Sequence, residues 1–155
     1  MSSPTLLLML LGLTTYGFGQ DLKCASSTKY YIPNVTGNWF QATEYCNSIG
    51  MRLAVITNAQ DNTVVVELAK ADSKYKPAVW IGGSDLGREG EFYWQPTGAK
   101  FSYTNWNATQ PDDMGNENCV EIRAEFAYNW NDHRCELVQH FVCENIEPNR
   151  VTVLF

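Results

Sequence analysis

Basic residues are scarce in this chain. Eleven Lys and Arg stand against 17 Asp and Glu, a formal charge of -6. That balance leaves no basic face for nucleic acid or for an anionic membrane surface. Histidine is scarcer still, with two. No Cys-x-x-Cys pair occurs, so neither a zinc knuckle nor a thioredoxin-like redox site is indicated. A Gly-x-Ser-x-Gly elbow is missing, as is any cysteine with partnering histidine and carboxylate, which argues against nucleophilic hydrolases. After the apolar run Leu6 to Leu13 no second long one follows, so nothing downstream reads as a bilayer span. Internal repeats and low-complexity linkers are lacking too.

What is present suits one globular domain with a real core: 13% aromatic and 45% hydrophobic residues in a chain too short for two. Residues 1–19 combine the short apolar run with Gly17-Phe18-Gly19, a small-x-small pattern, and read as a signal peptide without a positive n-region. The mature chain then starts near Gln20, and the protein is expected to be secreted, without membrane insertion. Secretion makes disulfides the default for Cys24, Cys46, Cys119, Cys135 and Cys143. Five is an odd number, so one is left over.

Lys29 to Pro33 has strand propensity. Asn34-Val35-Thr36 is a glycosylation sequon. Asn38 is a good N-cap for a helix over about 39–48, with Trp39, Ala42 and Cys46 on one face, Tyr45 extending it, and Gly50 as its stop. Met51 to Ile56 reads as extended. Asn58 caps a second helix to about Ala71, burying Val65, Leu68 and Ala69. Further strands are predicted over Ala78 to Ile81, ended by Gly82-Gly83, then over Glu91 to Trp94, Val120 to Arg123, Ala127 to Trp130 and Phe141 to Glu144. Gln95 to Gly98 is a turn. Two helices followed by short strands and long loops predict an α+β fold. The long, poorly regular stretch from Ser84 to Gln110 suggests a loop held by metal or disulfide.

Oxygen donors crowd one stretch. Gln110, Asp112, Asp113, Glu117 and Asn118 precede Cys119, and Asn131 and Asp132 lie just before Cys135. Hard cations such as Ca2+ take six to eight oxygen ligands, whereas zinc and copper favour Cys and His. A bridge between Cys119 and Cys135 would fold the second group back onto the first. Asp112 and Asp113 could serve a glycosidase as an acid pair, but their density fits metal ligation better, and no enzyme activity is expected. His133 and His140 have no convergent partners in the pattern and read as structural or exposed. Trp80, Trp94, Trp106 and Trp130 read as core.

Several motifs occur in a fixed order: the helix segment WFQATEYC, Trp80-Ile81-Gly82, Gln110-Pro111-Asp112, Trp130-Asn131-Asp132 and Phe141-Val142-Cys143. In that order, with four cysteines, the chain resembles the C-type lectin domain over roughly residues 29–144. Among its members it looks most like secreted single-domain lectins of invertebrates. One departure is Gly83, where a larger residue is common. The resemblance implies the C-type lectin fold, two helices and small antiparallel sheets with a long calcium-binding loop region, followed by a tail over 145–155. It implies the disulfides Cys46–Cys143 and Cys119–Cys135, closing loops worth about 4–5 and about 3 kcal/mol in the chain-entropy model. Cys24, in the N-terminal segment 20–28, then either links two chains as a homodimer or stays a free thiol.

The resemblance further implies a primary Ca2+ held by Gln110, Asp112, Glu117, Asn131 and Asp132, with a cis peptide before Pro111. The same five side chains would bind sugar hydroxyls. The order Gln-Pro-Asp is the family's galactose-type arrangement, so galactose or N-acetylgalactosamine glycans are the expected partners. Galactose-type members often carry a Trp after the triplet; here Asp113 and Met114 follow, and Met114 is the candidate sugar contact. Asp85, Glu89 and Asp113 resemble auxiliary ligands for a second calcium that shares Glu117. Calcium removal should then loosen residues 84–118. A second sequon, Asn107-Ala108-Thr109, lies directly before Gln110. The rival within the same fold is a calcium-independent protein-binding module.

Overall fold

The computed structural model describes residues 28–146. The expected signal peptide, Cys24 and most of the tail lie outside them. The chain order is β1 (Tyr30–Tyr31), α1 (Trp39–Ser48), β2 (Met51–Leu53), α2 (Ala59–Lys70), β3 (Ala78–Ser84), β4 (Tyr93–Trp94), β5 (Ala99–Lys100), β6 (Cys119–Arg123), β7 (Asn129–His133), β8 (His140–Phe141) and β9 (Cys143–Asn145). One antiparallel sheet runs β1-β9-β2. The other runs β5-β4-β3-β6-β7, with β8 parallel to β3.

Both helices start where their caps predict. The Asn38 side chain accepts from the Gln41 amide while the Gln41 side chain accepts from the Asn38 amide, a reciprocal box that satisfies two orphan donors of α1. Asn58 accepts from the Asp61 amide at the start of α2. The apolar face of α1, Trp39, Ala42 and Cys46, is buried. In α2, Val65 and Ala69 are buried, with Leu68 packed more openly beside the core. The disulfides join Cys46 to Cys143 and Cys119 to Cys135. The first ties α1 to the small sheet, and the second closes the segment that carries Asn131 and Asp132.

The strand expected over Glu91 to Trp94 shortens to Tyr93–Trp94, β5 is unexpected, and three other departures have visible causes. Gly82 and Gly83 do not end β3, which continues to Ser84. They are instead points of close approach. A Cβ at Gly82 would sit 3.0 Å from the Ala54 carbonyl, and one at Gly83 would collide with the Phe101 ring and lie 2.9 Å from Val120. Phe101 thus fills the space that a larger residue at position 83 would need. The strand expected from Ala127 begins at Asn129, because Ala127 (φ 53°) and Tyr128 (φ 65°) take left-handed turn conformations. The last predicted strand divides into β8 and β9, which pair in different sheets.

The core between helices and sheets holds Trp80, Trp94 and Trp130, all with no exposed surface. Trp106 is half-buried rather than enclosed, and packs edge-on against Phe92 and Trp130. Phe101 stacks on Trp94 with ring centroids 4.2 Å apart. The irregular stretch after β3 is therefore anchored by its own aromatic residues on the larger sheet.

Candidate metal centre

The centre is built where a tight loop meets the end of the β6–β7 hairpin. The Gln110–Pro111 peptide is cis. Beyond it, Asp113 (φ 46°), Gly115 (φ 100°) and Asn116 (φ 69°) turn the chain sharply back. Hydrogen bonds within the turn hold its shape: the Met114 amide donates to Asp112 Oδ1 (3.3 Å) and the Glu117 amide to Asp113 Oδ1 (2.8 Å). Asp132 pins the loop to β7, because its two carboxylate oxygens accept from the amides of Asp112 (3.2 Å) and Asp113 (3.0 Å).

Carboxylate oxygens of Asp112, Glu117 and Asp132 come within 4.8 Å of one another. Asp132 is 1% exposed and Glu117 9%, while Asp112 is open to solvent. Burial pushes the Asp132 carboxyl above the ordinary range, against the lowering effect of the two donated amides, and the charge of Asp112 adds to the rise. Gln110 and Asn131 supply neutral oxygens. Asn131 commits its Nδ2 to Glu121 Oε1 at 3.0 Å, so Oδ1 is the atom that could ligate. Gln110 Oε1 is buried and has no hydrogen-bond partner, an expensive arrangement for an amide oxygen unless something positive meets it. Three carboxylates and two amide oxygens, one of them buried and unclaimed, fit a hard divalent cation, and Ca2+ in particular.

Around the centre, Gln110, Asp112, Met114, Glu117 and Asn131 line an open cleft of about 370 Å3, together with Arg123, Glu125 and Phe126. Met114 stands at its rim, 76% exposed. Nothing in the sequence signals that Arg123, Glu125 and Phe126 share this cleft. Arg123 ends β6, and Glu125 and Phe126 lie in the short 3-10 turn Ala124–Phe126 that follows.

The reading of His133 needs correction. Its Nδ1 lies 2.6 Å from Glu117 Oε1, so it has a convergent partner in the candidate ligand set. The cause is register: His133 pairs across the sheet with Cys119, two residues after Glu117. His140 is half-buried, edge-on to Tyr75.

In the auxiliary group, Asp85, Glu89 and Asp113 lie near enough for their charges to act on one another. Asp85 is buried; its Oδ2 accepts from the Gly90 amide (2.9 Å), and its Oδ1 is buried without a partner. Burial raises the Asp85 carboxyl. Lost solvation also raises Glu89, with the charges of Asp85 and Asp113 adding to it. Glu117, the residue expected to be shared, converges on Asp112 and Asp132. Of the sequons, Asn34 is exposed and Asn107 half-buried.

These features define a disulfide-stapled α+β domain with an oxygen-rich acidic cluster on its loop face. Residues 35–145 match the Lectin C-type domain model, and the chain belongs to the C-type lectin domain family, whose members are non-enzymatic carbohydrate-binding domains that generally bind Ca2+. It is similar to C-type lectin 16 of Aedes aegypti, 43% identical over 129 residues, covering 78% of this chain and 84% of the relative. Salivary C-type lectin 1 of Aedes albopictus is 39% identical over 132 residues, with 80% and 86% covered. Among solved structures it is similar to the carbohydrate-recognition domain of the mouse scavenger receptor C-type lectin, at TM-score 0.66 and 27% identity, covering 74% of this chain and 85% of that one. Among the described residues no helix is long and apolar enough to cross a membrane.

Proposed function

We propose that the chain is a secreted, calcium-dependent lectin preferring galactose or N-acetylgalactosamine glycans, with glycan or pathogen recognition as its setting. The observation that carries this reading is the buried, unpartnered Gln110 Oε1, on a residue that lines one cleft with Asp112 and Glu117, whose carboxylates converge with that of Asp132. The side chains of Gln110, Asp112, Glu117, Asn131 and Asp132 would hold the ion. Calcium, when bound, supplies open coordination positions for two vicinal sugar hydroxyls. The protein's share is direction. Asp112 and Glu117 accept hydrogen bonds from hydroxyls, and the amides of Gln110 and Asn131 donate them. An amide at 110 and a carboxylate at 112 is the order that supports the galactose preference.

The Phe126 ring, in the same cleft, offers the aromatic surface that the segment after Gln-Pro-Asp lacks, with Met114 as a second apolar contact. A second calcium at Asp85, Glu89 and Asp113, sharing Glu117, is supported by the unpartnered Asp85 Oδ1. One shallow, open site suggests millimolar affinity, about -4 kcal/mol, so multivalency would matter. A homodimer bridged through Cys24 would supply it.

The test is a glycan array with the secreted protein, in calcium and in EDTA. Galactose or N-acetylgalactosamine signals that EDTA abolishes are expected. Mannose signals would keep the cation site and sink the specificity. No signal in either buffer, from folded and multivalent protein, would favour the calcium-independent protein-binding reading.

A further inference from the structure

We infer that Glu121 is a positioning residue for the cation centre: it fixes the amide of Asn131 so that Oδ1, not Nδ2, is presented to the ion. This rests on the reading of Asn131 as a ligand.

Glu121 is entirely buried in the middle of β6. It pairs directly with Asn131 across the antiparallel β6–β7 ladder, so the two side chains share a face and adjoin. Asn131 Nδ2 donates to Glu121 Oε1 at 3.0 Å, and Arg123 Nη1 donates to the same oxygen at 2.8 Å. Gln139 Nε2 donates to Oε2 at 2.9 Å. Gln139 is itself held by two backbone hydrogen bonds with Gly37, of 3.0 and 3.1 Å. Three donors from three directions thus fix this carboxylate, and Arg123 compensates its charge. Its oxygens are spent on those donors, so Glu121 supports the ligand set rather than joining it.

An asparagine amide has two ends that differ little in shape. Only one can ligate a cation. A carboxylate accepts hydrogen bonds and donates none, so it tells the ends apart. Flipping Asn131 would set Oδ1 against the fully buried Glu121 Oε1, losing a charge-assisted hydrogen bond and opposing two acceptors. The flip is therefore closed, and Oδ1 is committed to the cleft before any ion arrives. The second N–H of Nδ2 remains to donate to a sugar hydroxyl. Residues that orient metal ligands in this way typically alter affinity 10–100-fold when removed.

The experiment measures Ca2+ affinity by calorimetry, using Ca2+ alone, in a cycle of E121M and N131D. E121M should weaken calcium roughly 10–100-fold in the native background. In the N131D background, where residue 131 has no amide end to choose, E121M should not weaken it. E121Q keeps an oxygen facing Asn131 and Arg123 while Gln139 can turn its own amide to match, so it should stay within about threefold of native. Equal weakening by E121M in both backgrounds, or an E121Q loss as large as that of E121M, would mean a general structural role and overturn the inference. A second readout needs no calcium. In the calcium-free protein the Asn131 side-chain amide protons should be slow to exchange and shifted by their carboxylate acceptor, and E121M should abolish both features. Native protein that takes up no calcium would sink the proposed site, whereas an Asn131 amide signal unchanged by E121M would sink the positioning role.

Discussion

Calcium should act as part of the fold, and the size of its effect follows from the centre's geometry. Carboxylate oxygens of Asp112, Glu117 and Asp132 lie within 4.8 Å of one another, and Asp132 is 1% exposed. At an effective dielectric of about 20, two such charges repel by roughly 3 kcal/mol. Solvent around the open Asp112 and the amides donated to Asp132 cut that figure. A cation removes the repulsion in the folded state alone. At a hundred times its dissociation constant it stabilises the fold by about 2.7 kcal/mol. For a domain of this size that is a rise in melting temperature of roughly 10 °C. Differential scanning calorimetry on the oxidised protein, in calcium, magnesium and EDTA, reads it directly. Magnesium demands smaller, near-octahedral coordination and should give a lesser shift. D112N removes one exposed carboxylate and should erase most of the calcium shift while leaving the EDTA melting temperature equal or higher. Equal melting in calcium and EDTA, or a full calcium shift in D112N, would refute the reasoning.

Two further outcomes are expected. Trp130 donates its indole N–H to Asn62 Oδ1 at 2.8 Å, so Asn62→Ala leaves a buried donor unpaired and should cost about 1–3 kcal/mol in urea unfolding; a loss below about 0.5 kcal/mol would mean that the bond is readily replaced. Burial raises the Asp132 carboxyl, so it holds its proton to higher pH than an ordinary aspartate. Calcium affinity should fall as pH drops from neutral towards mild acid, and added calcium should restore occupancy. A dissociation constant that is flat between pH 7 and 5 would argue against Asp132 as a ligand.

Much of the fold could be read locally, because local chemistry decides it. Asn38 with Gln41, and Asn58, cap the helices through bonds between residues three apart. The Gln-Pro-Asp and Trp-Asn-Asp segments declare their oxygen atoms by composition alone. What stayed hidden depends on which strands are neighbours. His133 meets Glu117, and Glu121 meets Asn131 and Gln139, only through the β6–β7 register and the approach of the segment before β8. Glu121 sits in the run Cys-Val-Glu-Ile-Arg, where one acidic residue in a strand looks like a solvent-facing position. Burial of that glutamate follows from partners 10 and 18 residues away in sequence. Gly82-Gly83 misled for a similar reason. Two glycines in sequence suggest a stop, yet the Ala54 carbonyl and the Phe101 ring occupy the space beside them.

The division of labour in the centre follows from where its two halves lie. Asn131 and Asp132 belong to a strand locked by the Cys119–Cys135 bridge, by the buried Trp130 and by the β6 ladder. Gln110 and Asp112 belong to a loop with left-handed residues and little burial. A rigid half can hold its oxygens in place before an ion arrives, whereas a loop half needs something to pull it in. Asp132 serves both ends: its carboxylate accepts the loop amides of Asp112 and Asp113 and still faces the other carboxylates. Loss of the cation should therefore spread outward through the loop and leave the strands standing. Hydrogen exchange in EDTA would show this as faster exchange at Asp112, Asp113 and Glu117 with the β6–β7 amides still protected. Uniform loosening of loop and hairpin together would mean that the strand half is not preorganised.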